Sequence, residues 1–120
     1  MDRRIGFITH QGKKILQVDL SNCAAAEVEK IVRTIPDHVT TQQRASVLLL
    51  ADFTGASVGE EALRAMKEAA VFDKPYIKKS AWIGAENFPE AFYKSLRTFS
   101  GREFITFTSR EKALTWLAED

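Results

Sequence analysis

The longest apolar run in the chain is Val47-Leu48-Leu49-Leu50-Ala51, and Asp52 ends it. A run apolar on both faces predicts a central strand covered by helices on each side. A short loop with Gly55 and Gly59 follows, then a helical pattern with Leu63, Met66 and Ala70 on one face. Upstream, Arg4 to Thr9 reads as a strand with Ile5, Phe7 and Ile8 as its inward candidates, and Lys14 to Leu20 as a second strand. The Gln11-Gly12 turn between them is too short for anything but an antiparallel hairpin.

Ser21 or Asn22 is placed to cap a helix whose apolar face is Val28, Ile31, Val32 and Ile35. Pro36 should end that helix near Ile35, with an irregular helical turn over Asp37 to Gln43. Beyond Lys74-Pro75, Ile77 to Gly84 reads as a strand centred on Ala81, Trp82 and Ile83. Asn87 caps a further helix carrying Phe88, Phe92, Leu96 and Phe99, and Gly101 stands where a helix C′ glycine belongs. Glu103 to Phe107 is a last strand. Thr108-x-x-Glu111 is a capping box for a last helix with Leu114 and Leu117 inward. The order β-β-α-β-α-β-α-β-α calls for one α/β domain over residues 1–120. It has a five-stranded, mostly parallel sheet, one antiparallel N-terminal strand and four main helices.

This topology sorts the polar residues. The edge beyond the parallel strands gathers Asp19, Ser21, Asp52, Thr54, Ser57, Glu86, Asn87, Thr108 and Ser109, and the opposite edge gathers Lys13, Arg44, Lys74, Lys78 and Arg102. Helix capping explains such sorting, because N-termini favour hydroxyls and carboxylates and C-termini favour cations. A binding surface explains it too, since ligands of open α/β sheets sit beyond the carboxyl ends of the strands. On that rule the candidate binding residues are Asp52, Thr54, Gly55 and Ser57. At the other edge Lys78 and Arg102, with Lys74 and Lys79, form a candidate anion site. Strand alternation allows only one of Lys78 and Lys79 to join it.

Composition narrows the chemistry. Seventeen Lys and Arg against 16 Asp and Glu give a net charge of +1, without the basic excess of a general nucleic-acid binder. The single cysteine, Cys23, permits no internal disulfide. It stands near a helix start but no histidine is close to it in sequence. With His10 and His38 it lacks the spacing of zinc ligands. The Asp52–Gly59 loop has neither the P-loop nor the dinucleotide glycine pattern, and Glu60 and Glu61 occupy the first helical turn where a phosphate would sit. No Gly-x-Ser-x-Gly elbow is present. No catalytic residue, metal site or cofactor is expected. Met1-Asp2-Arg3-Arg4 leads into an apolar run too short for a signal sequence, and no run reaches the ~18 apolar residues of a membrane span. A cytoplasmic protein without stable membrane insertion is the expectation.

Taken together, the hairpin opening, Asp52-Phe53-Thr54-Gly55, Lys74-Pro75-Tyr76-Ile77-Lys78 and Phe99-Ser100-Gly101-Arg102 resemble the SpoIIAA-like (STAS-like) small bacterial proteins, often labelled STAS/Sec14-domain proteins. The resemblance spans nearly the whole chain and implies a β/α superhelical fold in the bacterial cytoplasm. The anti-sigma-factor antagonists of this type bind protein partners and are switched by phosphorylation of a serine at the start of the helix after the central strand. Here Glu60-Glu61-Ala62-Leu63 stands at that place, and Thr54 and Ser57 are the nearby hydroxyls, the candidate phosphoacceptors. Two functions follow as expectations. One is a non-enzymatic module that binds a protein partner through Asp52–Ser57. The other is a carrier of a small apolar or lipid-like ligand in a cavity lined by Phe88, Phe92 and Phe99. The β-prone Glu103–Phe107 strand, at a sheet edge, offers a route to a homodimer.

Overall fold

The computed structural model describes residues 4–86, 88–102 and 104–119. Five strands, β1 (Ile5–His10), β2 (Lys13–Asp19), β3 (Val47–Asp52), β4 (Ile77–Ile83) and β5 (Ile105–Phe107), form one sheet in that spatial order. β1 runs antiparallel to β2, and the other pairs are parallel. The helices are α1 (Ala25–Val32), α2 (Ile35–Val39), α3 (Glu60–Asp73), α4 (Glu90–Ser100) and α5 (Arg110–Ala118). The sheet topology and the four longer helices match the expected architecture.

Sequential strand order decides where the helices go. Right-handed crossovers between neighbouring parallel strands all return over the same face. Residues of α1 to α4 therefore pack with Leu16, Val18, Leu49, Ala51 and Trp82 into the larger core. Only α5, which follows the last strand, covers the other face, where Ala113, Leu114 and Leu117 meet Ile15, Leu48, Leu50, Ala81 and Ile83. Leu50 is fully buried beneath α5. Alanines 62, 65, 69 and 70 form the inner face of α3, so that helix sits close to the sheet, and Leu63 is only half-buried.

Several boundaries moved. Helix α1 starts at Ala25, not after Ser21 or Asn22, because Ser21 is held in a turn with Asp19 and Asn22 has φ +58, outside the extended conformation an N-cap needs. Ala24 has no side-chain acceptor, and only the return bond forms, from Ala24 N–H to Glu27 Oε1 at 3.4 Å. Helix α1 also stops at Val32, because Pro36 has no N–H for the Val32 carbonyl and its ring would meet that carbonyl. The proline instead stands in the first turn of α2, which begins two residues before the expected Asp37–Gln43 turn and overlaps it through Val39. The expected cap Asn87 lies outside the described residues, and Pro89 is the N-cap of α4. Gly101 closes α4 at φ +69, as its position predicted. At α5 the cap is Ser109, whose Oγ accepts from Lys112 N–H at 3.2 Å, one residue beyond the expected Thr108. Strand β5 is shorter than expected: Glu103 lies outside the described residues and Phe104 turns to the Trp82 ring at 4.8 Å.

Candidate functional site

The polar edge is built on a repeated local motif. Strands β2 and β3 end in register, Asp19 opposite Asp52. Asp19 Oδ1 accepts from Ser21 N–H at 3.0 Å and Ser21 Oγ–H at 2.5 Å. Asp52 Oδ1 accepts from Thr54 N–H at 3.0 Å and Thr54 Oγ1–H at 2.7 Å. Each aspartate thus fixes a turn by binding the residue two positions on. Backbone bonds then join the two turns: Leu20 N–H to Asp52 O at 2.8 Å, Asn22 N–H to Thr54 O at 2.8 Å and Ser57 N–H to Cys23 O at 2.9 Å. Phe53 N–H to Ile83 O at 2.8 Å ties them to β4.

Glycine is required twice in this platform. A Cβ on Gly84, at φ +73, would lie 2.5 Å from Thr54 N and Oγ1, and one on Gly55, at φ +71, would collide with the Asn22 side chain. Thr54, Gly55 and Ser57 are exposed together, with Asn22 beside them. Arg4 braces the back, donating to Ser21 O at 3.0 Å and lying 3.8 Å from the Asp19 carboxylate. Sequence reasoning placed Asp19 and Ser21 at this edge without naming them as site residues. The readable signal was the recurrence of Asp-x-Ser and Asp-x-Thr at the ends of two apolar runs.

Lys78 and Arg102 lie at the other edge, apart from the loop residues. They line a cleft of about 450 Å³ with Lys74, Lys79, Ser80 and Gly101, so the expected cationic cluster forms. Both lysines of the Lys78-Lys79 pair line it, contrary to the alternation argument. The β3–β4 register shifts between Val47 and Leu48, which face Ile77 and Lys79, leaving Lys78 as the extra residue of a bulge. Arg102 is not a solvated charge. It is 8% exposed, donates to Ala70 O at 3.2 Å and Ser80 Oγ at 2.6 Å, and stacks 4.9 Å from the Phe104 ring. Burial lowers its pKa to about 10, and the charge of nearby Asp73 opposes that shift. Asp73 is 2% exposed and its Oδ1 has no hydrogen-bond partner among the described residues. Desolvation raises its pKa to about 7, against the opposing charge of Arg102.

Arg102 and Asp73 also border a void of about 40 Å³ between the sheet and the helices, otherwise lined by apolar side chains such as Leu49, Met66, Trp82 and Leu96. That is room for one or two water molecules. The Phe88, Phe92 and Phe99 side chains expected around a ligand cavity are not in its lining. Phe88 and Phe92 instead pack with each other at 5.1 Å, Phe88 packs with Phe53 at 5.3 Å, and Phe99 is 56% exposed. Tyr93 donates its hydroxyl to Ala85 O, and its pKa is raised to about 12 by burial and then by Glu86 and Glu90.

Cys23 is buried. His38 Nδ1 lies 3.0 Å from Thr34 O, and the Nε2 atom of His10 is buried without a partner among the described residues. Among the described residues no group of three His, Cys, Asp or Glu is placed to hold a metal ion, and no helix is long and apolar enough to cross a membrane.

No family model matches the chain, and no curated protein matches it. Among solved structures, the chain is similar to an uncharacterized protein of the DUF3478 family with a SpoIIAA-like fold, from Shewanella loihica PV-4. The TM-score is 0.68 at 19% sequence identity, over 95% of this chain and 92% of that one. The five-stranded sheet and its helices are thus a SpoIIAA-like fold.

Proposed function

We propose that this SpoIIAA-like domain is a non-enzymatic interaction module that binds a protein partner through the platform of Asp19–Asn22 and Asp52–Ser57. The observation that carries this reading is the pairing of the two aspartate-fixed turns by backbone hydrogen bonds. A surface already held in one conformation loses little entropy on binding. It presents hydroxyl, amide and backbone groups suited to a polar interface.

The charge at the platform's edge of the sheet supports a basic partner. Glu27, Glu60, Glu61, Glu90 and Glu111 all lie in first helical turns, which open at this edge of the sheet. A partner with a basic surface complements them, and such charges act mainly on association rate and register. The test is capture of partners from the host by the purified protein and by a Glu60→Lys/Glu61→Lys variant. A discrete partner held by the parent, weakened by salt and lost with the variant supports the reading. A partner held equally by the parent and the variant contradicts it.

A further inference from the structure

The cationic cleft at the opposite edge has chemistry of its own. Its described lining holds four cations, Lys74, Lys78, Lys79 and Arg102, and no carboxylate. The C-termini of α3, α4 and α5 account for part of this charge. Lys79 is committed to α5, donating to Trp116 O at 2.9 Å and Glu119 O at 2.8 Å. Three helix ends bring about half a negative charge each, and the Asp73 carboxylate buried near Arg102 offsets part of another, which leaves about two positive charges uncompensated. Lys74 and Lys78 are exposed and pair with no carboxylate among the described residues.

The cleft also has a fixed back wall. Arg102 is more than nine-tenths buried, and of the five N–H donors of its guanidinium two have protein acceptors among the described residues. Ile77, Ile105 and Trp116 supply an apolar side wall, with Ile105 exposed.

We infer that this cleft binds a small organic oxyanion, a phosphate monoester or a carboxylate. Its charged group sits between Lys74 and Lys78 with Arg102 behind, and its apolar part lies against Ile77 and Ile105. The site lies at the edge opposite the platform and stands or falls independently of it.

Amide spectra of the ¹⁵N-labelled protein, titrated with phenyl phosphate and separately with benzoate at constant ionic strength, test the inference. Saturating shifts confined to the Lys74–Ser80 and Gly101–Ile105 segments are expected, at least tenfold weaker in a Lys74→Gln/Lys78→Gln variant whose denaturation midpoint is unchanged. Saturation by phenyl phosphate alone assigns a phosphate ester, and saturation by benzoate as well assigns oxyanions in general. Absence of saturation with both probes, or shifts that persist in the variant, overturns the site.

Discussion

The Arg102 guanidinium meets the Ser80 hydroxyl at 2.6 Å inside the protein, joining the segment after α4 to the middle of β4. The same guanidinium caps Ala70 O near the end of α3. One buried cation thus ties together a strand and the C-terminal ends of two helices. Replacing it with Met leaves Ala70 O and Ser80 Oγ without their donor, and Arg102→Met should cost about 3 kcal/mol. Ser80→Ala removes one bond to a charged group and should cost about 2 kcal/mol. Urea denaturation of the two variants checks both values and their order.

Asp73 makes stability fall with rising pH. Its folded pKa of about 7 lies above the ordinary carboxylate value, so the native state binds this proton more tightly than the unfolded chain. The contribution of Asp73 is therefore fully present below about pH 4 and is lost as pH rises toward 7, with an upper bound on the order of 4 kcal/mol. Asp73→Asn should flatten the profile across that interval. Unfolding free energies of parent and variant at pH 5 and pH 8 check it: the difference between the two pH values should shrink in the variant.

Gly84 is held at φ +73 with Thr54 against it. Gly84→Ala adds left-handed strain of about 1–2 kcal/mol and a Cβ that must displace the Thr54 backbone. The loss should exceed that range in denaturation, and amide shifts should spread through 52–57.

The α4 stripe divides into buried and exposed members. Leu96 is 1% exposed, and Leu96→Ala should cost about 2–5 kcal/mol. Phe99 lies on the surface with the Lys67 ammonium 5.8 Å from its ring, and Phe99→Ser should stay within about 0.5 kcal/mol. Thermal denaturation of the two variants separates them.

The strands and the amphipathic helices were legible because burial writes a period into the sequence. Val47–Asp52 and the α1 face Val28, Ile31 and Val32 were readable on that ground alone. Boundaries set by competing local bonds were not. Ser21 could cap a helix or close a turn, and only the position of Asp19 beside β3 decides for the turn. The Lys78 bulge left no mark, since it arises from the pairing of two strands about thirty residues apart. Arg102 read as a surface charge because its acceptors, Ala70 O and Ser80 Oγ, lie on other elements. The α4 stripe misplaced Phe99 because a helix face is wider than one line of side chains, and Tyr93, Leu96 and Ser100 set its centre.

On the proposed reading the platform carries the partner contact. A photo-cross-linking amino acid at Ser57, compared with one at exposed Thr115 in α5, tests it in cells of the host. One discrete protein adduct is expected from position 57 and none from position 115. Equal adducts from both positions, or none from position 57, would contradict it.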